Sequence, residues 1–408
     1  MAMTRRGVLG STLALWAPWP SALAGALGSR TRFLFVHASG GWDATRVFAL
    51  PESDSVDIEA DARLVTAGDL SWVSHGRRPS VDGFFDAFGD RTAIVNGVVV
   101  RSIAHGICRE VLMTGKSDGL SADWPAMLAS LDSGDIALPH LVLSGPSYAG
   151  DLGIYVAHDG RNEQLDTLVG TDVKFLDQPT RAVFLPTLES QALVDQWVME
   201  RAAARMAAAT GLKAQRYGEL LDSQQRAVLL KDLAGEMSFD SGSDLLSQGE
   251  VALDVLARGV SRCVTLQHPP TGAGFIWDSH TNNDDDQTEL YEDLFGTLRV
   301  LMDRMDGMST DTGEPLSEVT VVVVLSEMGR TPHLNASQGK DHWPYTSAMI
   351  VGAGVRSGVV GGYDDGLVAE EHDGALITPD AMGATLFALA GEDPAGFVDA
   401  EPIGDVLA

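Results

Sequence analysis

The chain of 408 residues is 45% hydrophobic, and 28 Lys+Arg stand against 57 Asp+Glu for a formal net charge of −29. This is material for one large α/β domain or two smaller ones, and so acidic a surface argues against nucleic acid and anionic membranes as partners while suiting a divalent cation. The two cysteines, Cys108 and Cys263, follow no metal-site spacing and are open to pairing in an oxidising compartment.

Residues 1–28 read as an export signal rather than as fold. Arg5-Arg6 leads into an apolar stretch at 13–19 and then Ser21-Ala22-Leu23-Ala24, with small residues near a cleavage point. The paired arginines point to the twin-arginine route and so to a periplasmic or secreted protein. The apolar middle, broken by Pro18 and Pro20, is too short to span a bilayer. No other run of about 18 apolar residues occurs, so no membrane span is expected. The domain proper is expected over 31–408, with a helical insertion at about 186–245.

Residues 32–37 (RFLFVH) form the first buried strand. The glycines of Gly40-Gly41-Trp42-Asp43 turn the backbone so that Asp43 sits at its carboxyl end, as a metal ligand or a turn cap. The segment to about residue 78 is acidic and irregular, and an amphipathic stretch at 81–88 precedes a second strand over 92–100. A short helix starts near His105 and stops at Gly115, with Ile107, Val111 and Leu112 as its apolar residues. His105 and Arg109, at i and i+4, share one face, and the helix N-terminus favours an anion.

Further strands are expected at 138–143 and, shorter, at 182–185; the Ala-rich block at 186–237 reads as two or three helices on the sheet or as a small lid. A helix over 251–258 and a strand over 263–267 lead to Trp277-Asp278-Ser279-His280, where Asp and His two residues apart can ligate one cation. Asp284-Asp285-Asp286 lacks the spacing and glycine of a calcium loop and reads as a helix-start charge cluster ahead of a helix at 290–305. The unbroken apolar run at 319–325 marks a strand buried on both faces, at the centre of a mostly parallel sheet. Behind it come Ser326-Glu327, Arg330 and Asp341-His342, at the strand end where open α/β sheets bind ligands. Strands alternating with helices give a three-layer α/β/α class.

The twin-arginine start, GGWD, HGICREVLMTG, WDSHTNN, SEMGRTP and GKDHW occur in the order seen in the domain-of-unknown-function 1501 family, which the chain resembles over about residues 32–360. That family is similar to the alkaline phosphatase/sulfatase superfamily, so the resemblance implies an alkaline phosphatase-like fold. It places His105 at the nucleophile position and Arg109 at an arginine four residues on. Asp43 matches a first-strand metal carboxylate, Asp278 and His280 a metal-ligating region, and His342 a late histidine. Glu327 falls at an aspartate ligand and Met328 at a histidine ligand.

Three departures matter. No Ser, Thr or Cys stands at position 105, Glu327 is longer than aspartate by a methylene, and a thioether at Met328 is a poor ligand for a hard or borderline ion. One divalent ion, zinc or similar, is therefore expected at Asp278, His280 and His342, with Asp43, Glu327, Asp341 and His105 as further candidates. Two functions stay open. One is metal-assisted hydrolysis of a phosphate or sulfate ester, on a small molecule or polymer, with His105 as nucleophile or acid/base, Arg109 clamping the oxyanion and Arg330 assisting. The other is a non-catalytic binding or assembly protein with a degenerate hydrolase site.

Overall fold

A computed structural model describes residues 31–51, 53–131, 136–159, 188–232, 242–270 and 276–408. The order begins β1 (Arg32–Ala38), β2 (Arg63–Ala67), β3 (Leu70–Ser74), α1 (Pro79–Phe88), β4 (Thr92–Val99), α2 (His105–Thr114), α3 (Trp124–Ser130), β5 (His140–Val142) and β6 (Val156–His158). Next come α4 (Leu188–Ala207), α5 (Leu212–Asp232), α6 (Leu245–Ala257), β7 (Cys263–His268), α7 (Asn283–Asp306) and β8 (Thr320–Leu325). The chain ends with β9 (Gly329–Arg330), β10 (His342–Trp343), β11 (Tyr345–Gly352), β12 (Gly358–Val360) and α8 (Pro379–Leu389).

Eight strands form one sheet in the order β12-β4-β11-β8-β1-β7-β5-β6. All but β11 run the same way, since β11 pairs antiparallel with both β4 and β8. The valine run is β8, near the middle, buried at every position. Its pleat explains why the run has no polar alternation. Val322 and Val324 face a core with Leu34, Val36, Leu253, Leu294 and Phe295, on the side of α1, α6 and α7. Val321, Val323 and Leu325 face a second core with Phe33, Phe35, Leu112, Trp124 and Phe387, on the side of α2, α3 and α8. The class is α/β, a mostly parallel sheet with helices on both faces.

Several expectations change. Part of the segment read as irregular before residue 78 is the β2–β3 hairpin, whose first strand is largely exposed and so shows no apolar alternation. The elements β6, α3, β12 and α8 went unread, the strands because three residues carry too little periodicity. Asp284, Asp285 and Asp286 do sit in the first turn of α7. The region of the insertion holds α4 and α5, packed on each other. Cys108 and Cys263 are buried free thiols rather than a disulfide. The export signal at 1–28 and the short strand at 182–185 lie outside the described residues. Among these, no helix is long and apolar enough to cross a membrane.

The shared direction of β1, β4, β7 and β8 brings their carboxyl ends to one edge of the sheet, and antiparallel β11 starts there. Four connections bearing polar residues therefore meet at that edge. A two-stranded ribbon, with Arg330 opposite His342, folds the last of them back over it.

Candidate metal centre

The site is built around Asp278. Its Oδ1 lies 3.1 Å from His280 Nε2 and 3.0 Å from His342 Nε2, and the two Nε2 atoms are 2.9 Å apart. Oδ2 faces His105 Nε2 at 3.3 Å. One donor atom each from His105, Asp278 and His342 falls within 4.8 Å of the others.

Each imidazole is held from behind by an acceptor. His280 Nδ1 lies 2.9 Å from Asp341 Oδ1, His342 Nδ1 2.7 Å from the carbonyl of Ile103, and His105 Nδ1 2.9 Å from Glu327 Oε1. A carboxylate or carbonyl oxygen only accepts, so these contacts assign the proton to Nδ1 in each ring. For neutral rings, His280 and His342 then turn bare Nε2 lone pairs toward each other and toward a carboxylate oxygen. Only a cation, or an extra proton, makes that arrangement favourable. The triangle edges of 2.9, 3.0 and 3.1 Å come near the ligand spacing of a tetrahedral zinc site, about 3.3 Å for bonds of about 2.0 Å. Acceptors on the far nitrogen are what ligating histidines ordinarily have.

The electrostatics agree. Burial works against charge on Asp278, but His105, Arg330 and His342 hold its carboxyl well below the usual range. His105, between Asp278 and Glu327, is raised to about 9 by the first and then the second, so without an ion it is a protonated bridge. Burial likewise opposes ionisation of Glu327, yet His105 first and then the Gly40 N–H at 3.0 Å lower its pKa. His37, wholly buried with Nε2 3.8 Å from Glu327, is pushed down to about 4 by burial and stays neutral.

The other expected residues fall into place unevenly. Arg109, on the same helix face as His105, sets Nε 3.7 Å from Glu327 Oε1 with its side chain about one-third exposed (34%), open to a ligand. Arg330 is 2% exposed and four of its five guanidinium N–H groups are engaged. It donates to Gly41 O at 2.8 Å, Lys340 O at 3.1 Å, Asp278 Oδ1 at 2.7 Å and Gly40 O, so it orients Asp278 instead of meeting a substrate. Glu327 bonds to His105 behind the cluster. Met328 is packed in the apolar core.

Asp43 keeps different company. Oδ1 accepts from Thr45 N and Oγ1 at 3.1 and 2.7 Å. Oδ2 takes Asn283 Nδ2 at 2.8 Å and Arg46 Nε at 3.3 Å, with Lys340 Nζ at 2.9 Å. Burial would raise its pKa, but Lys340 and Arg46 hold it well below the usual range. Two cations and three further donors leave it beside the donor cluster as a structural hub. Sequence reading missed His37 and Lys340. The only signal for Lys340 was its place directly before Asp341-His342.

A family model for a protein of unknown function (DUF1501) matches residues 86–401. No curated protein sequence matches the chain. In overall structure it is similar to a protein in the alkaline phosphatase superfamily from Vibrio parahaemolyticus, at 9% identity and a TM-score of 0.33, over 89% of this chain and 67% of that one. It is similar also to the lipoteichoic acid synthase LtaP from Listeria monocytogenes, at 8% identity and 0.40, over 90% and 74%. A phosphonate monoester hydrolase of Agrobacterium radiobacter matches at 11% identity and 0.30, over 91% and 79%. Likenesses this remote say nothing of reaction or substrate.

Proposed function

Since the chain belongs to the DUF1501 family, whose description assigns no activity, we propose from its own site that it is a single-ion, metal-dependent hydrolase of a phosphate or sulfate ester. The observation that carries the reading is the trio of Nδ1-anchored imidazoles whose Nε2 atoms surround Asp278. His280, His342 and Asp278 would hold the ion, with His105 as the fourth donor or the proton carrier. Imidazole and carboxylate make a normal set for zinc and its neighbours. Such an ion supplies Lewis acidity toward an ester oxygen.

The protein's own groups do the rest. Glu327 fixes the tautomer and orientation of His105, leaving Nε2 at the reaction side to accept or deliver a proton. Arg109 offers a planar fork to the anionic oxygens. Arg330 holds Asp278 in register. Export by the twin-arginine route would place this chemistry in the periplasm or outside the cell.

The test is metal content by elemental analysis of protein made in metal-replete medium, followed by a phosphate- and sulfate-ester panel. We expect about one ion per chain. His280→Ala or His342→Ala should lose most of it with the fold intact. His105→Ala should keep more of the ion and lose turnover. A wild-type content near zero overturns the site. An ion retained without turnover of any ester favours a binding protein instead.

A further inference from the structure

Lys340 is wholly buried, one residue before Asp341 and two before His342. Its N–H donates to Ser279 O at 3.0 Å, in the segment that carries Asp278 and His280, and its carbonyl accepts at 3.1 Å from Nη1 of Arg330, whose Nη2 donates to Asp278 Oδ1 at 2.7 Å. The preceding Gly339 lies directly on His280, where a Cβ would come within 1.9 Å of the His280 carbonyl. Below, Lys340 Nζ meets Asp43 Oδ2 at 2.9 Å, and the same oxygen accepts from Asn283 Nδ2 at 2.8 Å. One carboxylate thus pins both ligand-bearing segments from beneath.

The pair belongs to a charge-balanced network. Arg46 bridges Asp43 at 3.3 Å, Glu59 at 2.9 Å and Asp284, while Arg78 pairs with Glu59, so Lys340, Arg46 and Arg78 match Asp43, Glu59 and Asp284. A buried ion pair contributes little net stability against apolar side chains of the same size, and its best-attested use is to fix one arrangement.

The geometry points to Lys340 as the positioning residue of the metal centre: its ammonium, anchored on Asp43, sets Asp341 and His342 against His280 and Asp278. This rests on the ion-binding reading above. Lys340→Met keeps the stem and removes the charge. Titration with Zn2+ should show affinity down by about 10–100-fold, the usual effect of losing a partner behind the ligands. The Co2+ absorption spectrum should change with it. Asp43→Asn should weaken binding as well, and the double variant should lose less than the sum of the two single losses, because the two share the Lys340–Asp43 contact.

A lower melting temperature with wild-type Zn2+ affinity and Co2+ spectrum would show a merely structural pair and overturn the proposal. Should the single variants not fold, the double variant lacks the stranded charge and is read in their place, wild-type affinity again being the refuting result. If wild-type protein binds no ion, the function above fails and Lys340 is judged on metal-free protein by 15N-imidazole signals of His280 and His342. Signals unchanged in Lys340→Met then overturn it, and shifted signals support it.

Discussion

At the scale of single residues, the second nitrogen of each imidazole decides the chemistry. Among the described residues the Asp341 carboxylate bonds to His280 and Asn335, and its side chain is largely exposed. Asp341→Asn should leave the melting temperature within about a degree yet weaken ion binding by about tenfold, because an amide can present a donor to Nδ1 and spoil the tautomer. Titration with Zn2+ reads this directly. Arg109→Ala should leave ion content unchanged and raise the inhibition constant for inorganic phosphate about tenfold or more, as loss of a charge-assisted fork does. Ion loss in that variant would move Arg109 from the substrate to the scaffold.

At the scale of elements, backbone closeness sets the site as firmly as side chains do. The turn at 335–341 lies against the 278–283 segment through the Thr281–Gln338 bridge and the Asn283 N–H to Gln338 O bond of 2.8 Å. Gly339→Ala has no room beside His280, so we expect loss of most ion binding together with a lower melting temperature. On the other side, α2 ends on Gly115 at φ 74°, where a Cβ would also meet Asp380 Oδ1 at 2.2 Å. Gly115→Ala should cost roughly 1–3 kcal/mol in urea unfolding, from left-handed strain plus the clash. It is a stability change remote from the ligands, and the ion affinity of the folded fraction should hold.

For the whole molecule, acid sensitivity follows from buried neutral histidine. His140 begins β5, fully buried, with Nε2 2.8 Å from Thr265 Oγ1, and burial pushes its pKa down to about 3. A folded value below the unfolded one, about 6.5, means stability that is full above pH 6.5 and lost as pH falls toward 3. The loss is on the order of 5 kcal/mol at its limit. Asp123 runs the other way: burial raises it to about 7, so its contribution is present below about pH 4 and lost as pH rises toward 7. Comparing His140→Asn with wild type cancels the Asp123 part. The variant should lose less stability between pH 6.5 and 3 in urea unfolding, and parallel curves would refute the assignment. The net charge of −29 adds a salt effect, with the melting temperature rising from low to moderate ionic strength as self-repulsion is screened.

The apolar run of β8 declared a central strand by itself, because a strand covered on both faces needs apolar residues at every position. The same local logic made the first strand, the helix from His105 to its glycine stop, and the Asp278–His280 pair legible, each being a pattern contained within a few residues. Pairing across distance was not. That β11 runs against its neighbours, that Asp43 goes to Lys340 and Arg46 while Asp278 gathers the histidines, and that Arg330 is spent on backbone carbonyls depend on contacts between segments far apart in the chain. A carboxylate at a strand end has the same sequence whether a cation, a lysine or a metal ion faces it. Only the folded arrangement, which decides the nearest positive charge and how deeply the group is sealed from water, tells them apart.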